Sequence, residues 1–267
     1  MTSIGVAELS TGQRVRLAVR DGRFNGSTAG VAAGYVQANV TIMPAAYAED
    51  FRAFCVANPK PCPVLAVGER GSPCLPTLGR DLDVRTDVPR YLVFEHGVEV
   101  AQVPNLMSLW SSDLVAFALG CSFSFDHMLV AAGVPVRHVS RRSNVAMWRT
   151  TIPTTPVGPF HGPLVVSMRP IKERDLARAV RITESLPTVH GAPIHWGSPT
   201  FLGIADLSRP DYGDPMPLEH KELPVFWACG VTAQVAVEHA RIPFAVTHSP
   251  GCMLVTDLKV EALGEGA

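Results

Sequence analysis

Apolar residues occur along this chain in short runs, each bounded by proline, glycine or polar residues. The 23 prolines and 22 glycines are spread throughout, and they interrupt the apolar runs at intervals typical of short strands and helices. No internal repeat stands out in the sequence. The pattern therefore predicts a globular protein built from many short elements.

In the first half of the chain, cap residues and apolar stripes predict helices, and shorter apolar runs predict strands. The segment GCSFSFD at 120–126 would join two of these helices, with Ser122 or Ser124 as the cap of the second. The elements predicted are a helix within 24–44, a helix over 45–57, a buried strand at 63–69, an edge strand within 78–91, a hairpin that turns at His96 and Gly97, a helix over 109–120 and a helix that ends at Gly133.

The last hundred residues alternate between strand and helix patterns, which is typical of an α/β protein. We therefore predict a mixed, partly parallel sheet flanked by helices. The strands predicted are 162–170, 201–207, 224–230 and the segments FAVTHS and MLVTDL, with helices over 171–186 and VTAQVAVEHA.

Composition excludes several classes of protein. Hydrophobic residues make up 47% of the 267 residues and the net charge is −1, so no basic surplus for nucleic acid is present. No apolar run of about 18 residues and no signal-like start occur, so we expect a cytoplasmic protein that does not bind membranes. The six cysteines contain no CxxC pair, which predicts reduced thiols and no metal site.

Residues that could perform chemistry cluster at the predicted carboxyl ends of strands, where open α/β sheets bind ligands. Arg169, Cys229, Thr232 and His248 lie at such ends. The loop HGAPIHWGSP adds His190 and His195, which are five residues apart and therefore unlike a zinc-binding HExxH pair. An acid or base role suits these two histidines better than metal binding.

Two further segments carry candidate residues. In GCSFSFD, Cys121 precedes a helix, whose N-terminus lowers a thiol pKa, and Asp126 falls in the first turn. Backbone N–H groups near Ser122 and Ser124 could equally bind an anion. In DLDVRTD, charged residues alternate with others, so Asp83 and Arg85 would share one face of a strand. That face is either solvent-exposed or the wall of a cleft.

Eight segments together resemble the D-glutamate cyclase family, from about residue 14 to residue 257. They are GYVQANVTIMP, FCVANPKPCPVLAV, LGRDLDVRTDVPRY, LWSSDLVAFALGCSFSFD, VVSMRP, HGAPIHWGSP, FWACGVTAQ and THSPGCMLVTD. Asp126 stands where the family pattern leads us to expect glutamate, and Trp148 where we expect tyrosine. The shorter carboxylate leaves an acid role open.

The resemblance implies a hydro-lyase that removes water from a small amino or carboxylic acid, as in closure of D-glutamate to 5-oxo-D-proline. It also implies an α/β fold with a second, smaller α+β domain. We expect the main domain at 1–78 and 163–267 and the inserted domain at 79–162.

Ring closure needs one base, one acid and no cofactor. Arg85 and Arg169 are the predicted grips for a substrate carboxylate. Asp83, Asp126, His190 and His195 are candidates for the acid and base, Cys121 for a nucleophile, and the helix start at Ser122 and Ser124 for oxyanion donors. Cys229, Thr232 and His248 complete the predicted binding residues.

Three alternatives stay open. The protein could be an amidohydrolase, a racemase in which Cys121 and Cys229 transfer protons across a cleft, or a carboxylate-binding protein without activity. In each case the expected partner is a small-molecule carboxylate, and a homodimer remains compatible with the sequence.

Overall fold

A computed structural model describes residues 8–263 of the chain. Within that range, eleven β-strands and six α-helices are present, together with short 3₁₀ turns. The strands are β1 (Tyr35–Pro44), β2 (Val64–Val67), β3 (Tyr91–Glu95), β4 (Val98–Val103), β5 (Leu114–Gly120), β6 (Ala146–Pro153), β7 (Pro163–Lys172), β8 (His195–Trp196), β9 (Glu222–Ala228), β10 (Ala245–His248) and β11 (Leu254–Lys259). The helices are α1 (Gly12–Arg20), α2 (Ala45–Ala57), α3 (Phe123–Ala131), α4 (Arg137–Arg141), α5 (Leu176–Glu184) and α6 (Val231–Ala240).

The strands form two sheets. The larger sheet has seven strands in the order β2-β5-β1-β10-β3-β4, with β11 also paired to β1. The smaller sheet has the order β6-β7-β9-β8. Strands β1 and β5 are buried along almost their whole length, so both of their faces are covered.

The prediction of a partly parallel sheet was wrong, because every strand pair in both sheets is antiparallel. A strand covered on both faces is a continuous apolar run whatever its direction, so the sequence pattern does not reveal direction. The helical connections do not produce parallel neighbours, because they do not join adjacent strands of one sheet. Helix α2 joins β1 to β2, but β5 lies between these two strands. Helix α6 joins β9 in the small sheet to β10 in the large one.

Several predicted elements were confirmed and others were wrong. The helix over 45–57, the hairpin at His96 and Gly97, and helices α3 and α6 are present as predicted. Residues 109–120 contain strand β5 instead of a helix, and 24–34 is a turn region before β1, in which Gly30 and Gly34 have φ of +71° and +85°. The strand predicted at 201–207 is also absent, since Pro199–Leu202 forms a 3₁₀ turn. The division into a main and an inserted domain stays a prediction.

The charged segment DLDVRTD anchors helix α1. Arg16 of α1 is fully buried, and its guanidinium donates to Asp257 at 2.8 and 2.9 Å and to Asp81 at 2.5 Å. Arg20, one turn later, donates to the buried Asp87 at 2.6 and 2.7 Å. Buried guanidinium groups need such acidic partners to offset their lost hydration. The acids of this segment are therefore explained in large part by the docking of α1.

Candidate active site

A small cavity, lined by apolar surface and a few polar side chains, lies where strands β5, β9 and β10 end. Each of these strands ends beside a polar residue: Cys121 follows β5, Cys229 follows β9, and His248 is the last residue of β10. The cavity lining, which we call the thiol cavity, consists of Asn39, Cys121, Ser122, Phe123, Asn144, Val145, Met147, Cys229, Val231, His248, Gly251 and Met253. It therefore draws on both sheets.

His248 fills a gap in the hydrogen bonding of β1. Strands β10 and β11 both pair with β1, and His248 Nδ1 lies between them, 3.2 Å from Val40 N and 3.3 Å from Val40 O. In the neutral tautomer without a proton on Nδ1, this atom accepts from the Val40 N–H. In the other neutral tautomer, Nδ1–H donates to the Val40 carbonyl. Nε2 is buried and has no partner, so it is free to donate or to accept in turn.

Burial governs the charge state of His248. Loss of hydration lowers its pKa to about 4, although the hydrogen bond with Val40 acts in the opposite direction. The imidazole is therefore neutral near pH 7, which is the form that can take up a proton. A neutral ring whose Nε2 has no partner can accept a proton or a hydrogen bond from a molecule in the cavity.

Two asparagine side chains line the thiol cavity, and each packs against a glycine. A Cβ atom at Gly230 would lie 2.2 Å from Asn39 Nδ2, and one at Gly251 would lie 2.5 Å from Asn144 Nδ2. Asn144 Nδ2 donates to Pro250 O at 3.0 Å, whereas its buried Oδ1 has no partner. The cavity thus contains an unpartnered acceptor as well as the His248 nitrogen.

Both thiols are protonated in this closed arrangement. Burial raises the pKa of Cys229 to about 11 and raises that of Cys121 further, and the nearby Cys229 sulfur adds to the effect on Cys121. Backbone N–H groups act against burial: Phe123 N, which lies 3.5 Å from Cys121 Sγ, lowers the pKa of Cys121, and the Val231 N–H lowers that of Cys229. Each thiol is therefore a proton donor near pH 7.

A buried ion pair supports one wall of the cavity. Arg169 Nε donates to Asp126 Oδ1 at 2.8 Å, and Nη2 donates to Ser122 Oγ at 3.1 Å. His138 Nε2 donates to the second oxygen of Asp126 at 2.8 Å. Burial alone would raise the pKa of Asp126, but the Arg169 charge and the His138 contact outweigh it and hold the pKa below its usual value. Because Ser122 Oγ accepts from a guanidinium, its own O–H is available to the cavity.

The space inside is narrow. The thiol cavity has a volume of about 20 Å³, which is room for about one water molecule. A second, largely apolar cavity of about 310 Å³ lies between residues 30–35 and helix α3, and Phe123 lines both cavities. A five-carbon acid would therefore need the walls to separate or Phe123 to turn.

The predicted site residues fall into three groups. Cys121, Ser122, Cys229 and His248 line the thiol cavity. Asp126 and Arg169 support it through Ser122, while Ser124 and Thr232 bind the backbones of β1 and β7 behind it.

The remaining four are absent from the cavity lining. His190 is buried with Nδ1 2.8 Å from Lys60 O. His195 Nε2 contacts Ser198 O at 2.8 Å. Asp83 and Arg85 pair with each other at 2.6 Å. The catalytic and binding roles assigned to all twelve residues stay predictions.

Three residues of this region were missed from the sequence. Asn39 falls in a segment that the sequence predicts as a helix, and neither Asn144 nor His138 carries a signal. His138 is recognisable only through its contact with Asp126, twelve positions earlier in the chain. Asn144 reaches the site because its amide bonds Pro250, which is 106 positions away. Such pairings depend on the fold and not on spacing.

We expect the free energy of unfolding to fall on mild acidification. His190 and His248 are both buried with pKa values of about 4, below the usual value of about 6.5. Between these values the unfolded chain binds protons that the folded protein excludes, so stability is lost as pH falls through this window. At pH 5 each histidine accounts for about 2 kcal/mol relative to pH 7. Urea unfolding at both pH values measures the loss.

The variant His190→Gln separates the two contributions. It should remove about half of the pH dependence, whereas His220→Gln, at an exposed position, should leave it unchanged. An equal pH dependence in all three proteins would contradict the assignment to the buried rings.

No helix within 8–263 is both long and apolar enough to cross a membrane. In the same range, His, Cys, Asp and Glu side chains do not gather in a group of three or more that could hold a metal ion.

Comparisons with known proteins agree with one another. Residues 115–257 match the family model described as D-glutamate cyclase. A protein of Verminephrobacter eiseniae named "Putative hydro-lyase" is 57% identical over 92% of this chain and 90% of its own length. Similarly named proteins of Methylobacterium radiotolerans and Rhizobium johnstonii are 58% and 56% identical, over 91% and 93% of this chain and 90% and 93% of their own lengths.

Proposed function

The chain belongs to the D-glutamate cyclase family, and from that premise we propose that it removes water from a small amino acid in the thiol cavity, closing D-glutamate to 5-oxo-D-proline. The observation that carries this proposal is the unpartnered Nε2 of His248 beside two protonated thiols. Ring closure needs a base for the amine and an acid for the departing hydroxide, and these groups supply both.

His248 is the proposed base. When Nδ1 donates to the Val40 carbonyl, Nε2 presents a lone pair to the cavity, and the same hydrogen bond stabilises the ring once Nε2 is protonated. The amine proton passes to Nε2 as the nitrogen attacks the side-chain carboxyl carbon. A thiol, Cys121 or Cys229, then donates its proton to the hydroxide, which leaves as water. The His248 proton returns to that thiolate, so the protein is regenerated.

Charge stabilisation comes from the backbone and from Ser122. Helices α3 and α6 begin at Phe123 and Val231, so two positive helix ends point toward the cavity. Such ends stabilise a carboxylate and the oxyanion that forms during attack. Ser122 O–H, polarised by Arg169, is a third donor. In this scheme Arg169 acts through Ser122, since its Nε bonds Asp126 and Nη1 bonds Ser167 Oγ at 3.3 Å.

A binding protein without activity is less well supported. Such a protein needs donors for a carboxylate, and the helix ends would suffice. It has no need of a buried, unpartnered imidazole nitrogen next to two thiols, because leaving that nitrogen without a partner costs stability. The cost is understandable if the nitrogen transfers protons.

The proposal is tested by a proton NMR time course of purified, metal-stripped protein with D-glutamate. Signals of 5-oxoproline are expected to appear at the rate at which those of glutamate disappear. No turnover by protein that unfolds cooperatively on heating would reject D-glutamate as the substrate.

Asn144 is expected to recognise the substrate amine. Its buried Oδ1 is an acceptor without a partner, and an amine N–H of the substrate would satisfy it. The variant Asn144→Ala should raise KM about tenfold, the equivalent of one hydrogen bond of about 1.4 kcal/mol, with a smaller effect on kcat. The exposed Asn105→Ala serves as the control. A large fall in kcat at unchanged KM would instead assign Asn144 to the transition state.

A further inference from the structure

The two thiols occupy equivalent positions in a structural repeat. Strand β5 pairs with β1 so that Gly120 lies opposite Ala38, and β9 pairs with β7 so that Ala228 lies opposite Val166. In both pairs the last residue of a seven-residue strand meets the fourth residue of a ten-residue strand. A short strand, β2 or β8, covers the outer edge of each pair, and a helix, α3 or α6, follows each.

The junctions share two hydrogen bonds. Cys121 N donates to Gln37 O at 3.0 Å, and Cys229 N donates to Val165 O at 3.0 Å. Gln37 and Val165 are each the third residue of their strand. The hydroxyl at the second helical position, Ser124 in one case and Thr232 in the other, accepts from the N–H of that same residue at 2.9 Å.

The sulfur atoms share one kind of contact, although Cys229 Sγ also lies 3.5 Å from Met147 Sδ. In each junction the first helical N–H, of Phe123 or of Val231, lowers the pKa of the cysteine thiol, and Phe123 N lies 3.5 Å from Cys121 Sγ. Both sulfurs then line one cavity together with His248. Two junctions of the same construction therefore present a thiol to one cavity.

We propose that this pair of thiols exchanges and inverts the hydrogen at the α-carbon of a small amino acid, an activity in addition to water removal at the same site. The inference uses the cavity of the proposed function but does not require ring closure. A catalyst that removes a proton from one face and supplies one to the other needs two equivalent groups, and a repeat provides them.

The proton balance is as follows. One thiol first loses its proton to solvent and becomes a thiolate, which the N–H groups at the starts of helices α3 and α6 favour. The thiolate takes the α-hydrogen as a proton, and the electron pair of the broken C–H bond moves into the carboxyl group, whose charge the helix ends stabilise. The second thiol then donates its proton to the opposite face of the α-carbon. The product is the other enantiomer, and the thiol and thiolate have exchanged places.

The test uses the intact protein in D₂O with the two enantiomers of glutamate and of aspartate, each supplied separately. Proton NMR follows the α-hydrogen and 5-oxoproline, and chiral chromatography with mass spectrometry locates the deuterium. In the initial phase we expect deuterium in the inverted enantiomer and none in the recovered starting enantiomer, because the second thiol carries a solvent-derived deuteron.

Variants assign the effect to the two thiols. Cys121→Ser and Cys229→Ser should each reduce inversion at least 100-fold, and the exposed Cys74→Ser should leave it unchanged. Circular dichroism checks that each variant is folded, and serine differs from cysteine by one atom. Inversion that survives either substitution would overturn the two-thiol assignment.

The outcomes separate this inference from the proposed function. Deuterium in the inverted enantiomer without 5-oxoproline supports the inference and rejects ring closure. 5-Oxoproline without α-deuterium keeps ring closure and overturns the inference. Equal deuterium in both enantiomers would indicate a single base, and it overturns the inference too. No α-deuterium in any of the four amino acids, with folded protein, also overturns it.

Discussion

The variant His248→Asn is expected to lower kcat for ring closure by about 10²- to 10⁴-fold, the usual range for loss of a general acid or base. The side-chain amide of asparagine can take the place of Nδ1 and keep the hydrogen bond with Val40, whose backbone nitrogen lies 3.2 Å from Nδ1. It has no counterpart of Nε2. The change therefore removes the atom that faces the cavity and preserves the contact that completes β1.

Two control variants make this result specific. His220→Asn replaces an exposed histidine and should retain full activity. The sequence predicts a catalytic role for His195. In the structure its ring contacts Ser198 and stacks on Phe226 at 6.0 Å. His195→Asn should therefore retain activity if the thiol cavity is the catalytic site. If His195→Asn inactivates the enzyme and His248→Asn does not, the thiol cavity is not the catalytic site.

Stability measurements guard against a trivial explanation. Because His248 is buried, a variant that unfolds would also lose activity. The free energy of unfolding in urea should change by no more than about 2 kcal/mol in His248→Asn, as expected when one buried hydrogen bond is weakened. A larger loss would make the activity uninterpretable, and titration with D-glutamate by NMR line broadening would then show whether the folded fraction still binds.

The sequence predicts most elements of the fold but not their arrangement. Helix α2 is recognisable because proline stops it, and the hairpin of β3 and β4 because glycine follows His96 at its turn. Strand β5 is misleading, since LVAFALG is buried at all seven positions and lacks the alternation that marks a strand. The direction of a strand cannot be predicted for the same reason, because a strand buried on both faces has the same apolar pattern in a parallel and in an antiparallel sheet.

The candidate site is predictable in part. The ends of apolar strands indicate where Cys121, Cys229 and His248 lie, and all three residues line one cavity. The asparagines could not be found in this way, because each is fixed by contact with a glycine more than a hundred positions away in the sequence. The repeat is equally hidden. CSFS and CGVT share a cysteine and one hydroxyl, which are too few residues to register as a repeat, although they form the same bonds.

The variant Asp126→Asn is expected to lower the free energy of unfolding by about 3–5 kcal/mol. Asp126 and Arg169 are 2% and 1% exposed, and their side chains are 2.8 Å apart. The guanidinium also lies over Phe125 and Trp227, at 4.9 and 5.3 Å from the ring centroids. Neutralising the carboxylate leaves this positive charge buried without an ionic partner, so the cost exceeds the loss of one hydrogen bond.

A matched control and a double variant identify the cause. Asp113 pairs with Arg70 at 2.5 Å, but the two side chains are 48% and 67% exposed. Asp113→Asn should therefore cost less than about 1 kcal/mol. The double variant Asp126→Asn/Arg169→Met should regain much of the loss, because it removes the unpaired charge as well. Equal losses in the single and double variants would show that packing, and not charge, stabilises this region.

The pH dependence gives the same test a second readout. In the folded protein the pKa of Asp126 is below its usual value. Its contribution to the free energy of unfolding is therefore fully present above the pKa of the unfolded chain, about 3.9, and is lost as pH falls through the pKa of the folded protein. The difference between wild type and Asp126→Asn should therefore persist from pH 7 to pH 5 and shrink only in stronger acid. Because Arg169 also bonds Ser122 at the cavity wall, a loss of activity that exceeds the unfolded fraction would link this ion pair to the positioning of Ser122.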